Sequence, residues 1–325
     1  MKNHHEPTLQ GTWPCSYCRI SGFSSRNIEK RGVDNLGLEL GCIHSANMRD
    51  LSRRIPIRGR GYSVGYQTCG PLLCNMYALI CETTGETAIV DPSCEMSNDW
   101  DNVLSFLRPE RGKFKPNIDV QQIFLTHGHA DHVLGVTEAM KRWPSASLFL
   151  HPLEEENYRE AHLLGKQFGM KIPASLPAPT EELHDGCILN VGETIRMRVV
   201  HTPGHSPGHV AFADNRPCRS IHADSKADDG DCSGENSLGA VIIGGDLLFR
   251  GTVGHTEMPN ASFTDLTASL CRLYDMFHED SIVLSGHTTP TWLKTEKESN
   301  RYVISALQRP KKLLEEAKQR HGWKI

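Results

Sequence analysis

The chain has 325 residues, 38% of them hydrophobic, with 35 Lys and Arg against 39 Asp and Glu and a formal net charge of -4. That is enough chain to bury a sizeable core, and it carries no overall basic field of the kind that draws in nucleic acid, so no nucleic-acid partner is expected. No apolar run approaches the ~20 residues needed to span a bilayer, and Met1 to Gln10 lacks the charged start and apolar stretch of a secretory signal, so a soluble protein without a membrane partner is expected.

Residues 1–60 read as an irregular N-terminal extension, with Arg19, Arg26, Arg31, Arg49, Arg53, Arg54, Arg58 and Arg60 set among serines and glycines. A transit peptide has that look, but Glu29, Asp34, Glu39 and Asp50 weigh against one. The expected location is therefore intracellular and cytoplasmic, with mitochondrion or plastid as the alternative if the extension targets the chain. The 11 cysteines, odd in number and irregular in spacing, read as reduced thiols. Cys15 and Cys18 could form half of a zinc site with Cys42 and His44, but that second spacing is unusual, and ordinary thiols are the simpler reading.

From Gly61 onward, residues 61–325 read as one domain. Met76 to Cys81 and Glu86 to Val90 are apolar runs joined by Glu82-Thr83-Thr84-Gly85, a β-hairpin ending in Asp91. Cys69, Cys74, Cys81 and Cys94, in and around it, read as core or near-core residues. Trp100 to Leu107 has helical spacing, Val120 to Leu125 is a strand, and Val133 to Trp143 predicts a helix. Ser147 to Leu150 reads as a strand ending at His151, expected to be structural, and Leu153 to Phe168 as a helix. Three strands follow, at Thr194 to Val200, His209 to Ala213 and Ala240 to Ile243. A polar insert, 214–239, separates the last two. Phe263 to Phe277 predicts a helix, Ser281 to Leu284 a strand, and Tyr302 to Arg320 a C-terminal helix. Strands mixed with helices predict an α/β sandwich.

The chemistry concentrates where strands end. Thr126-His127-Gly128-His129-Ala130-Asp131-His132 places four ligand-type side chains in six positions between a strand and a helix. Residues two apart in a loop can face the same way, so His127 and His129 can share one metal while Asp131 and His132 turn to a neighbouring position. Three surface histidines on a turn would be the bland reading, but Gly and Ala between the ligand types argue against it. Further on, His205 sits in the tight loop His201-Thr-Pro-Gly-His-Ser-Pro-Gly-His209, where His201 and His209 read as structural. Asp246 follows the strand Val241 to Ile243 and could bridge two metals, and His287 follows Ser281 to Leu284.

These motifs, in this order, resemble the metallo-β-lactamase superfamily over about residues 62 to 305. The resemblance implies the αββα sandwich of that family. It also implies one metal on His127, His129 and His205, a second on Asp131, His132 and His287, and Asp246 between them. Two divalent ions are then the expected cofactors, zinc first, with iron or manganese also suited to His and Asp ligands. Such a pair, about 3.5–4 Å apart, can share a hydroxide that attacks a carbonyl or phosphorus. Asp131 is the expected catalytic residue, orienting that nucleophile besides ligating.

Gly245-Asp-Leu-Leu-Phe-Arg-Gly-Thr-Val-Gly254 and Gly286-His-Thr-Thr, followed by Glu298 and Asn300, resemble the glyoxalase II (hydroxyacylglutathione hydrolase) group. That likeness implies a thioesterase acting on a small-molecule thioester such as S-lactoylglutathione, with glutathione as the thiol. His255 stands where that group carries Lys or Arg, and the chain after His287 matches the group's shorter members. Arg250 and His255 are the candidate substrate contacts, with Lys294 and Lys297 as further charges near the mouth. The alternative enzyme is a mononuclear iron persulfide dioxygenase of the same fold, which would use His127, His205 and Asp246. A non-catalytic metal-binding scaffold is the other alternative, against which the complete ligand set argues. A β-lactamase is disfavoured because Asp246 stands where zinc β-lactamases commonly offer cysteine.

Overall fold

Every residue of the strand Cys74–Cys81 is buried, which an alternating strand allows only if both faces of its sheet are covered. Its alternate side chains divide accordingly. Met76, Ala78 and Ile80 join one apolar cluster, and Tyr77, Leu79 and Cys81 join another. The computed structural model describes residues 53–57 (backbone only), 60–94, 100, 119–214, 239–309 and 311–323.

The first sheet holds seven strands in chain order: β1 (Arg53–Ile57), β2 (Tyr62–Cys69), β3 (Cys74–Cys81), β4 (Glu86–Val90), β5 (Asp119–Phe124), β6 (Ser147–Leu150) and β7 (Glu181–Glu182). β1 to β4 are antiparallel and β4 to β7 parallel. The second sheet runs β15-β14-β11-β10-β9-β8, built from β8 (Ile188–Val191), β9 (Ile195–His201), β10 (Val210–Asp214), β11 (Val241–Gly245), β14 (Ile282–Ser285) and β15 (Thr291–Trp292). β12 (Leu248–Phe249) and β13 (Thr252–Val253) form a small hairpin.

The inner faces meet in one apolar layer, where Tyr77, Val90 and Phe124 of the first sheet pack with Met197, Phe212 and Ile243 of the second. The rings of Phe124 and Phe212 lie 5.4 Å apart, and a fully buried Phe contributes about 1.5–3 kcal/mol through burial. Against the outer face of the first sheet lie α1 (Ala130–Val133), α2 (Val136–Arg142) and α3 (Glu155–Gln167), supplying Val133, Val136, Ala139 and Ala161. Against the second lie α4 (Phe263–Met276), α5 (Leu293–Ser299) and α6 (Arg301–Leu307), supplying Leu266, Leu270, Leu293 and Val303. The last helix is α7 (Lys311–His321). Helix, sheet, sheet, helix is the expected αββα sandwich.

Several boundaries differ from expectation. The helix expected over Val133 to Trp143 is two helices, broken at Gly135. There the backbone donates to Pro92 O at 2.6 Å, and a Cβ would stand 2.6 Å from Cys94 O. Only Gly permits that approach, and the chain must turn to make it. The helix expected over Tyr302 to Arg320 also divides, into α6 and α7 around Pro310, which lacks the N–H that helix continuation needs. Asn300 caps α6, its side chain accepting from Tyr302 N at 3.0 Å. β1 lies within the stretch expected to be irregular and pairs with β2 from Arg53↔Tyr66 to Ile57↔Tyr62.

Residues 1–52, with Cys15, Cys18, Cys42 and His44, lie outside the described residues, as do 101–118, which include the expected helix after Trp100, and 215–238 of the polar insert. The two residues flanking that insert stretch are joined by Arg60, which donates to Asp214 O at 2.6 Å and Gly239 O at 2.9 Å. Arg60 also pairs with the Asp214 carboxylate at 2.9 Å. Among the described residues no helix is long and apolar enough to cross a membrane.

Candidate metal centre

The loops that follow β5, β9, β11 and β14 come together at one edge of the sandwich and carry the expected ligand residues. Backbone bonds stitch the two sheets together there. Val210 N donates to Thr126 O at 2.9 Å, and Asn75 N donates to Gly286 O at 2.6 Å. The structure groups His127, His129 and His205, all buried, in one cluster, and places Asp131, His132 and His287 in another together with Cys74. Asp246 reaches both, with Oδ2 3.5 Å from His205 Nε2 and 3.4 Å from His287 Nε2, and Oδ1 3.3 Å from His132 Nε2.

Four of the five rings are held from behind. His205 Nδ1 donates to His255 O at 2.7 Å, His287 Nδ1 to Leu72 O at 3.0 Å, and His132 Nδ1 to Asp91 Oδ2 at 2.9 Å. Thr126 Oγ1 donates to Asp91 Oδ2 at 2.7 Å and so accepts from His127 Nδ1 at 3.0 Å. With these outer nitrogens committed as donors, the only lone pair each of these rings can offer is the inner one, which is the arrangement metal-binding imidazoles need. Asp91 serves three bonds at once, since its Oδ1 also accepts from Thr126 N at 2.8 Å. It does so from a left-handed backbone, φ 50°, rare for a non-glycine residue.

The inner atoms fit a metal shell. His129 Nδ1 and His205 Nε2 are 2.9 Å apart, His132 Nε2 and His287 Nε2 are 3.4 Å apart, and His287 Nε2 lies 3.0 Å from Asp131 Oδ2. Two donors on one tetrahedral ion with bonds of about 2.0–2.1 Å stand about 3.3 Å apart. His127 Nε2 and Asp246 Oδ1 are buried and take part in no hydrogen bond, although polar atoms buried in this way normally find a partner. A divalent cation at this point would supply it.

The two clusters differ electrically. Burial pushes the imidazoles of His129 and His205 down to about 4 and that of His127 well below its ordinary value, so all three are neutral at pH 7. For His132 and His287 burial acts the same way, but the surrounding acids overcome it and raise both. Cys74 and Asp246 act on His132, and Asp246 with Asp131 on His287. Burial alone would raise the Asp131 carboxyl, yet His132 and a hydrogen bond from His287 bring it down to about 2.

Some supporting residues were expected and others were not. His209 is structural as expected, its Nε2 accepting from Asp246 N at 3.0 Å while Nδ1 faces Thr202 Oγ1 at 2.8 Å. His201 stacks on His151 at 4.6 Å and 6°. Glu154 was not foreseen. Fully buried, it accepts from Gly128 N at 2.8 Å through Oε2 and from Gly208 N at 2.7 Å through Oε1, tying the first two ligand loops together. Cys74 is buried as expected, but its sulfur faces ligand residues instead of core. Arg250 is exposed beside the His287 loop, with its backbone N on Thr288 Oγ1 at 3.0 Å. His255 is exposed and serves the site through its carbonyl. Lys297 pairs with Glu279 at 3.0 Å, so its charge is engaged there.

The profile of the metallo-beta-lactamase superfamily matches residues 69–217. The crystal structure of TTHA1623 in a di-iron-bound form is 32% identical, covers 73% of this chain and 98% of its own, and superposes with a TM-score of 0.54. The probable metallo-hydrolase YqgX of Bacillus subtilis (strain 168) is 27% identical over 237 residues, 72% of this chain and 94% of its own. The hydroxyacylglutathione hydrolase GloC of Haemophilus influenzae is 23% identical over 229 residues, 70% of this chain and 92% of its own.

Proposed function

The chain belongs to the metallo-β-lactamase superfamily, and we propose that it is a two-metal hydrolase of small thioesters, with an S-acylglutathione such as S-lactoylglutathione as substrate class. The observation that carries this reading is the pair of buried donor clusters that share Asp246. In it, His127, His129 and His205 would hold one divalent ion and Asp131, His132 and His287 the other, with Asp246 within reach of both sets. When bound, two such ions acidify water and polarise a carbonyl, which is the chemistry that thioester hydrolysis requires.

The chain's own groups do the rest. Asp131, whose Oδ2 faces His287, accepts a hydrogen bond from the attacking water and fixes its lone pair toward the carbonyl carbon. Thr126, Asp91 and the carbonyls of Leu72 and His255 keep the rings from turning. Arg250, exposed next to the His287 loop, offers a guanidinium to a substrate carboxylate, and His255 offers a hydrogen bond beside His205. The glutathione assignment draws its support from the likeness to GloC and is the finer part of the reading.

The test joins metal analysis to thioester turnover on the same sample. Close to two ions per chain with hydrolysis of S-lactoylglutathione is the expected result, and Asp246→Ala is expected to lose metal and turnover together. Wild-type metal content and rate in that variant overturn the assignment. One iron per chain, no thioester cleavage and oxygen uptake with glutathione persulfide replace it with the dioxygenase reading. A full metal complement with neither activity favours a scaffold.

A further inference from the structure

Cys74 stands apart from the other described cysteines near the opening hairpin. Cys69 and Cys94 belong to the apolar cluster under the first helices and Cys81 to the layer between the sheets, whereas Cys74, fully buried, belongs to no apolar cluster. Its Sγ, an Asp131 carboxylate oxygen and a ring nitrogen each of His132 and His287 all lie within 4.8 Å of one another.

The backbone explains why the sulfur is there. Leu73 adopts φ 57°, a left-handed conformation that costs a leucine roughly 1–2 kcal/mol and re-aims the chain at the start of β3. Asn75, the residue after Cys74, is then fastened to the His287 loop by three bonds. Asn75 N donates to Gly286 O at 2.6 Å, and Asn75 Nδ2 donates to Ser285 O at 3.0 Å and Thr288 O at 2.8 Å. Leu72 O, on the other side of Cys74, holds the ring of His287. Cys74 is thus clamped between two residues bonded to the loop that carries a ligand.

We propose that Cys74 is a protein ligand of the second metal position, completing a set of one sulfur, two imidazoles and the carboxylate of Asp131, with Asp246 shared. A thiolate and an imidazole on one tetrahedral ion, with bonds of about 2.3 Å and 2.0 Å, stand about 3.5 Å apart, inside the span of this cluster. The thiol proton leaves to solvent as the metal–sulfur bond forms, and no electron changes hands. A thiolate makes this position softer and more negative than a set of nitrogen and oxygen alone. It therefore favours zinc or cobalt over manganese there, while the three-imidazole position lacks that bias.

The inference rests on the two-metal reading, and reloading metal-free full-length protein with cobalt(II) separates the two. Cobalt per chain by elemental analysis reports metal binding, and a near-ultraviolet sulfur-to-cobalt charge-transfer band reports the thiolate. The band is expected in the unmutated chain, lost in Cys74→Ser and retained in Cys94→Ser. Two cobalt ions with a band that Cys74→Ser leaves unchanged overturn the proposal and leave the two-metal reading standing. A chain that takes up no cobalt overturns both. If Cys74→Ser fails to fold, zinc X-ray absorption on the unmutated chain decides. A sulfur shell at about 2.3 Å supports the ligand, and its absence overturns it.

Discussion

Glu154 offers a direct test of how the ligand loops are held. Its carboxylate is fully buried and accepts three N–H bonds, from Gly128 N at 2.8 Å, Asn157 Nδ2 at 3.0 Å and Gly208 N at 2.7 Å. Gly128 lies between two ligand histidines, and Gly208 lies in the loop of a third. Glu154→Gln keeps the shape but turns one acceptor into a donor. The amide oxygen satisfies the side with two donors, and the NH2 then faces Gly208 N. One bond to a charged acceptor is lost and a buried N–H is left without a partner, a cost of about 2–4 kcal/mol. Part of this appears as lower stability of the metal-free protein. The rest appears as weaker metal binding, since partners that orient metal ligands typically carry 10- to 100-fold in affinity. Chelator competition on Glu154→Gln, beside the exposed control Glu181→Gln, measures the second effect, and thermal melts of the metal-free protein measure the first. Unchanged affinity together with an unchanged melting temperature would refute the bracing role.

Two further perturbations probe separate links. A Cβ on Gly286 would fall on Asp246 Oδ1 and 3.0 Å from His132 Cε1, so Gly286→Ala is expected to lower the metal content from two ions toward one, the three-imidazole position being spared. His151 accepts from Leu153 N at 3.2 Å and must be neutral at Nδ1 to do so. Burial, then His201, pushes it down to about 3. The unfolded chain takes up that proton near pH 6.5, so stability is full above that value and falls as pH drops toward 3, by as much as about 1.4 kcal/mol per pH unit. His151→Asn, which keeps a capping acceptor, should flatten that acid limb in denaturant melts between pH 7.5 and pH 5, and an equally steep limb in the variant would exclude His151 as its source.

Much of this arrangement is legible in the sequence because it is local. Four ligand types crowd into Thr126 to His132, and the candidate ligands at His205, Asp246 and His287 each follow a strand run that alternation or apolar content reveals. What was missed depends on contacts between distant segments. Glu154 reads as one acid among three at a helix start, and its role exists only once Gly128 and Gly208 are folded against it. Cys74 sits in a strand that is core from Met76 to Cys81, so its periodicity points to packing, and the bend at Leu73 precedes the turn of its sulfur toward the candidate ligands. β2 alternates Tyr62, Val64 and Tyr66, but Gly65 and Gln67 break the apolar pattern, and the partners of the Tyr62 and Val64 face, Met197 and Val199 among them, lie far along the chain in the second sheet. β12, β13 and β15 are two residues each, too short to carry any period.

The centre is a property of the closed sandwich and not of any one loop. β5 belongs to one sheet, and β9, β11 and β14 to the other, so neither sheet alone brings His127 near Asp246. The bonds from Val210 to Thr126 and from Asn75 to Gly286 form only when the apolar layer between the sheets has closed, with Phe124 on Phe212. Metal binding and sheet packing are therefore thermodynamically linked. An ion that binds only the closed state at a hundredfold over its dissociation constant adds about 2.7 kcal/mol to folding. That is the size of the contribution from one fully buried core side chain. A core residue far from the edge can thus weaken metal affinity without touching a ligand, and a ligand can set the stability of a core it never meets.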